Sequence, residues 1–348
     1  MIMKVGLVAC CSKKLKNKSL AKDLYQSTLF KSSMEYLNKR CDKIFILSAK
    51  YGLLELAEEI EPYNLTLNEM NKNERTNWSK EVLKKLKIKT DLQRDEYIIL
   101  AGNNYREEII KHIKKYDIPM EKLTIGKQLK FLKEDNNMDE VCEKLHLIAN
   151  EMPRYCFPFE KDKICKNGIY ILFEKGEKAH KNDRIVRIGT HRGNNNLYYR
   201  LKEHFINENK DRSIFRKNIG RALLNKNKDD YLEIWNIDFT KKENKKQFKY
   251  NLDIKKQENL EKQISKYIQG NLSFVIIEIP DKDSRLFFES KLISTVSLCA
   301  KCFPSTNWLG NYSSKSKIVE SGLWLVNELY KEPFTIEELN KFVDEYIN

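Results

Sequence analysis

Apolar positions along the chain follow two patterns. Over the first 150 residues, short unbroken apolar runs alternate with longer amphipathic stretches. Lys4–Cys10, Lys43–Ser48 and Tyr97–Ala101 read as strands buried on both faces. Between and after them, Leu29–Cys41, a Lys-rich stretch near Glu81–Lys87 and Tyr105–Tyr116 read as helices. Strands alternating with helices predict a Rossmann-like, mostly parallel α/β domain over 1–150. Residues 151–166, with Pro153 and Pro158 among charges and aromatics, read as a linker.

From Asn167 to the end at 348 the pattern changes to mixed α+β. Gly168–Phe173 and Arg184–Gly189 predict strands joined by a polar hairpin loop, Glu174–Asp183. Leu197–His204 and the basic Ile214–Leu224 predict helices, and Tyr231–Phe239 a strand. Residues 240–266 read as a Lys-, Asn- and Gln-rich surface insertion ending in a helix. Ser273–Ile279 predicts a strand and Ser284–Leu298 a helix, followed by the loop Phe303–Ser313. A chain of 348 residues suits two domains of this kind.

Composition narrows the class. No apolar run approaches the roughly 20 residues that span a bilayer, so no membrane role is expected. The run Val5–Cys11 is too short for a secretory signal, which points to the cytoplasm. Lys plus Arg exceeds Asp plus Glu by 14, which favours a polyanionic partner, nucleic acid first. A Lys-, Asn- and Ile-rich composition from an AT-rich genome would give the same excess. The eight cysteines read as reduced thiols. Cys156 and Cys165 with the Cys299-x-x-Cys302 pair could make a zinc site, although the gap between the first two is uncommon for ligands.

In parallel sheets, ligands bind beyond the carboxyl ends of the strands. Here those ends carry Cys11, Ser12, Lys13 and Lys14, then Ser48, Lys50, Tyr51 and Gly52, then Asn103 and Tyr105. They predict a pocket in which Tyr51 or Tyr105 could stack on a base and the lysines hold phosphate. Ordinary loop composition is the plainer reading. A catalytic Cys–His pair is not expected, because His112 lies in a predicted helix and His146 at the domain's end. The run Cys11-Ser12-Lys13-Lys14, the segment Ala21–Phe30, Leu47–Leu53 and Glu61-Pro62-Tyr63 together resemble the prokaryotic and phage domain of unknown function 6884, over about residues 3–145.

In the second domain, Gly168-Ile169-Tyr170, Arg187-Ile188-Gly189, Arg200 with His204, Glu289 and Asn307 stand in an order that resembles the GIY-YIG nuclease superfamily, in its restriction-enzyme-like branch. The resemblance covers about residues 166–330. It implies a metal-dependent endonuclease acting on DNA, with Tyr170 moving a proton, Arg200 holding phosphate, His204 accepting a proton or touching phosphate, and Glu289 anchoring Mg²⁺ or Mn²⁺. Two departures stand out. Arg187 occupies the place of the second motif's tyrosine, and 16 residues (171–186) separate the two motifs. Tyr198 or Tyr199 could replace the missing ring in space, or Arg187 could itself stabilise phosphate. Arg216, Lys217, Asn218 and Arg221 are the candidate DNA contacts, against the plain alternative of a solvated basic helix.

The reading is therefore a DNA endonuclease in restriction, phage defence or repair, with a first domain that recognises nucleic acid and possible modified bases as its target. One alternative makes the first domain a base- or nucleotide-processing enzyme of glycosylase type. Another makes the chain a DNA-binding protein that does not cut. Double-strand cleavage would need a homodimer or two successive nicks.

Overall fold

The structure, a computed structural model, describes residues 2–133 and 138–347. It divides into two compact units, Met1–Lys133 and Glu134–Asn348. In the first, β1 (Lys4–Ala9) lies between β2 (Lys43–Ser48) and β4 (Glu96–Leu100), parallel to both. The edge strand β3 (Gly52–Glu55) runs antiparallel to β2, and β5 (Lys115–Asp117) runs parallel to β4. The mostly parallel sheet is thus as its apolar runs predict. Helices α1 (Thr28–Asn38), α2 (Lys72–Lys89) and α3 (Ile125–Lys133) accompany it. Two apolar clusters form its core, one around Phe45, Leu47 and Leu86, the other around Ile46, Tyr25 and Leu37. A capping box, Asn71 with Glu74, starts α2.

The second unit is built on an antiparallel sheet in the order β8-β7-β9-β6: β6 (Tyr155–Cys156), β7 (Gly168–Ala179), β8 (Asn182–Gly189) and β9 (Leu272–Glu278). One face, with Ile169, Ile171 and Phe173, packs on α4 (Met138–Glu151), α8 (Lys282–Leu298) and α9 (Ile336–Tyr346). The other, with Tyr170 and Leu172, packs on α5 (Leu197–Phe205), α6 (Ile214–Lys226) and α7 (Ile254–Asn271). The alternation along β7 is what a strand with a core on each side requires.

Several expectations are corrected. Helix α4, read as the close of the first domain, packs in the second through Val141, Cys142 and Leu145. The segment read as a linker adds β6 to the second sheet, and Phe157 and Phe159 pack on its core. The polar hairpin loop Glu174–Asp183 is mostly strand, because Glu174 and Glu177 point inward to buried donors. Glu174 accepts from the indoles of Trp308 and Trp324, and Glu177 from Arg184. Tyr231–Asn236 is helical, with Trp235 buried beneath α6 and its indole bonded to the Lys217 carbonyl. Tyr105–Tyr116 is no single helix. It breaks into a short helix, a 3₁₀ turn and β5, which lets the chain reach the sheet edge. Among the described residues, no helix is long and apolar enough to cross a membrane.

Candidate active site

The ends of β7 and β8 meet the middle of α8 through two glycines. A Cβ on Gly168 would sit 2.3 Å from the Ile277 carbonyl oxygen of β9, and one on Gly189 2.3 Å from the Tyr170 hydroxyl. Gly168 therefore allows close strand pairing, and Gly189 leaves the space that the Tyr170 ring fills. Beyond Gly189, the Thr190 hydroxyl donates to the Gly168 carbonyl (2.7 Å) and the Thr190 N–H to Glu289 Oε1 (2.9 Å). Helix α8 starts at an Asp281 cap, whose carboxylate accepts the Ser284 N–H at 2.7 Å.

A bulge decides where Arg187 points. Phe173 pairs with Ile185 and Leu172 with Arg187, so Val186 is the extra residue on β8. Paired residues share a face, so the bulge puts Arg187 beside Tyr170 rather than with Ile185. The Val186 carbonyl accepts the Trp324 N–H at 2.8 Å. Arg187 Nε donates to the Tyr170 hydroxyl at 3.4 Å, and its guanidinium stacks on Phe215. On its other side the Tyr170 hydroxyl lies 2.8 Å from His204 Nε2, and His204 Nδ1 lies 2.7 Å from Ser213 Oγ. Ser213 also caps α6, accepting the Arg216 N–H. The structure therefore brings together Tyr170, Arg187, His204 and, through Thr190, Glu289.

The remaining candidates stand apart from that group. Arg200 is half-buried, and its guanidinium donates to the Arg212 carbonyl at 3.3 Å. Its charge is still felt at His204 and Glu289. Tyr199 is 48% exposed and bonded to Lys161. Tyr198 packs on the apolar cluster, edge-on to Phe159. Asn307 is exposed, and no hydrogen bond joins it to Tyr170, Arg187, His204 or Glu289 among the described residues.

Burial shapes the electrostatics. His204 is wholly buried, and this, together with Arg200, Arg187 and Arg216, holds its pKa well below the usual imidazole range. Burial raises the pKa of Glu289, against the pull of Thr190 and Arg187. His191, which follows Thr190, escaped the sequence reading. It is buried, its Nδ1 is unpartnered, and burial beside Arg285 brings its pKa down to about 4. Unfolded imidazoles titrate near ~6.5. Below that value the unfolded chain takes up protons that folded His191 and His204 refuse, so these groups make stability fall as pH drops toward about 4. Glu289, with a raised folded pKa, works in the opposite direction. The expected loss is at most about 1.4 kcal/mol per histidine per pH unit. Melting curves across this range should show it, with a shallower slope for His191→Gln. A midpoint that does not move with pH would contradict this account.

Helix α6 corrects the expected DNA contacts. Arg216 is fully buried and donates to Glu261 through Nε (2.9 Å) and Nη2 (2.7 Å). Lys217 pairs with Asp211 at 3.0 Å, and Arg221 bonds Asn218 and Asn236. These cations have internal partners, so the helix is no solvated basic face. Removing one member of a buried pair costs about 3–5 kcal/mol. Glu261→Ala should destabilise the fold by that amount in denaturant titration, and a change inside experimental scatter would refute the pairing.

In the first unit, the ends of β1 and β4 border one cavity, and the end of β2 does not line it. This cavity of about 580 Å³ is lined by Cys10, Cys11, Ser27, Asn103, Tyr105 and Arg106, among others. Tyr105 is buried, with its hydroxyl 3.4 Å from Cys10 Sγ and its ring edge-on to Trp78, so it walls the cavity and offers no free face. Ser48, Tyr51, Lys14 and Lys50 gather instead around Tyr63. The Tyr63 hydroxyl lies 2.7 Å from Ser48 Oγ and 3.0 Å from the Tyr25 hydroxyl, and Lys14 Nζ sits 4.3 Å from its ring centre. Burial pushes the phenols of Tyr63 and Tyr105 up, as does Cys10. Gly52 is buried at the start of β3, whereas Ser12 and Lys13 are exposed. Cys10, Tyr25 and Tyr63 link these two groups, and Tyr25 and Tyr63 were not among the residues expected to form the pocket.

Comparison with curated proteins and with solved structures finds no match. Residues 5–134 match the model of a family of unknown function, DUF6884. Residues 137–347, more than half of the chain, match the GIY-YIG domain model. The chain belongs to the GIY-YIG domain family, a family of nucleases, and carries a DUF6884 domain ahead of its nuclease domain.

Proposed function

We propose that the second unit hydrolyses DNA phosphodiesters with a divalent metal, and that the first unit presents the DNA, by recognising a base, in restriction, phage defence or repair. The observation that carries the reading is the Tyr170 hydroxyl set between Arg187 and a neutral His204. With Nδ1–H donating to Ser213, His204 Nε2 accepts a hydrogen bond from the Tyr170 hydroxyl. The phenol stays protonated at rest and hands its proton to His204 only as it takes one from an attacking water, while Arg187 Nε–H steadies the charge that passes over the phenol oxygen. Arg187 thus works on Tyr170 in a place where a second tyrosine would be expected. Glu289 suits Mg²⁺ or Mn²⁺: it is a hard oxygen donor whose burial leaves its charge undercompensated. Such an ion, when bound, supplies positive charge to the phosphate and leaving oxygens. Arg200 adds a planar cation for phosphate, and the exposed Arg192 and Arg212 a path for the DNA backbone.

For the first unit, the cavity around Cys10 supports a base-sized ligand. A cytoplasmic setting fits eight free cysteines. Incubation of the chain with supercoiled plasmid and Mg²⁺, unmodified and with phage-type base modification, tests the reading. Nicking is expected, faster on modified DNA, with Asn103→Ala reducing that preference. Free base released before any strand break would assign chemistry to the first unit. Salt-sensitive DNA binding without nicking in either metal would leave a binding protein. A homodimer would yield linear product without an accumulating nicked circle.

A further inference from the structure

The second unit also gathers soft ligand atoms from three distant segments, at the turn between β7 and β8 and on the other face of the sheet from Tyr170. Cys142 and His146 stand one turn apart on α4. His180 sits at the tip between β7 and β8, and Cys299 and Cys302 follow α8. Cys142 Sγ is 3.4 Å from Cys302 Sγ, and His180 Nε2 is 3.3 Å from both Cys299 Sγ and Cys302 Sγ. The ligand atoms of Cys142, His146, His180 and Cys302 all lie within 4.8 Å of one another. None of the thiols is in a disulfide.

Zinc held at ~2.3 Å by sulfur and ~2.0–2.1 Å by nitrogen in a tetrahedron spaces its ligands about 3.6–3.8 Å apart. The observed separations are a few tenths of an ångström short of this. The turn is a second, independent sign. His180 and Lys181 have φ of 49° and 64°, where hairpins ordinarily use Asn-Gly. A histidine held in that left-handed conformation, with its ring aimed at two thiols, fits a ligand better than a turn former.

Five side chains compete for four positions. Both nitrogens of His146 already have backbone partners: Nδ1 the Cys142 carbonyl at 2.9 Å, and Nε2 the Ile185 N–H at 3.2 Å. Cys299 Sγ lies 3.3 Å from each of His180 Nε2, the Lys301 N–H and Asp139 Oδ1, and sits in Cys-x-x-Cys spacing with Cys302. Asp139 fixes that loop by accepting the Ala300 N–H at 3.0 Å. We propose that Cys142, His180, Cys299 and Cys302 bind one structural zinc ion, with His146 orienting Cys142. Three sulfurs and a nitrogen select zinc over magnesium, and four protein ligands close the site to substrate. Of the cysteines read earlier as zinc ligands, only Cys299 and Cys302 take part. Cys156 is exposed on β6, and Cys165 bonds the Asn167 carbonyl.

The full chain, purified without chelator and dialysed, should carry one zinc by elemental analysis. Grown with cobalt in place of zinc, it should show the visible bands of tetrahedral Co²⁺ and a thiolate-to-cobalt charge-transfer band. Cys302→Ser and His180→Asn should lose the metal, and His146→Asn should keep it. A folded wild-type chain that neither carries zinc nor takes it up would overturn the proposal, as would iron with inorganic sulfide in its place. Retention by Cys299→Ser with loss from His146→Asn would overturn the ligand assignment. Metal content and spectrum are read without cleavage, so these outcomes stand whether or not the chain cuts DNA.

Discussion

Glu289→Ala is expected to slow Mg²⁺-dependent nicking by about 10³-fold or more while leaving the chain folded. Several kcal/mol of transition-state charge stabilisation depend on the ion, and each ~1.4 kcal/mol is a factor of ten. Glu289 is tied to the Tyr170 end of the sheet through the Thr190 N–H. Its loss frees one backbone donor beside solvent and removes a group that burial already disfavours in its charged form. The melting point should therefore change little. Single-turnover nicking with melting curves checks both halves. A variant that cuts at the wild-type rate would remove Glu289 from the mechanism.

Tyr170→Phe is expected to cost about 10²–10⁴-fold in the same assay, the range of a positioned proton-transfer group. The ring remains to fill the space against Gly189, so packing is kept and the hydroxyl alone is lost. Replacing His204 by Asn in that background should add little, because Tyr170 and His204 pass one proton between them. Additive losses would mean separate roles. Burial depresses His204, so the wild-type rate should also stay level as pH falls through ~6.5 and decline only well below it. A break near ~6.5 would show an imidazole open to solvent.

The residues themselves explain what could be read in advance. The central strands were legible because Val5–Ala9 and Ile44–Leu47 are apolar on both faces, and few other structures bury such short runs. The order Tyr170, Arg187, Arg200, His204, Glu289 was legible as a motif. That Arg187 would touch Tyr170 was not, because alternation from Ile185 puts it on the other face and only the Val186 bulge reverses this. Arg216 looked like a DNA contact because its partner Glu261 lies 45 residues away on another helix. Tyr231–Phe239 reads as a strand, although the apolar residues at 231, 232, 234 and 235 already have helical spacing. The thiol cluster was half legible. Cys299-x-x-Cys302 was visible, but Cys142 and His180 join it from 160 and 122 residues away along the chain.

The position of α4 sets where the gene can be divided. A fragment opening at residue 151, just past the expected end of the first domain, would encode a nuclease half without Val141, Cys142, Leu145 and Ala149. That half would expose the apolar face of β7 and β8 and be prone to aggregate. The two family matches leave only residues 135 and 136 between them. A cut there gives each half its whole core, and it is the junction at which recombination could pair this nuclease domain with a different N-terminal domain.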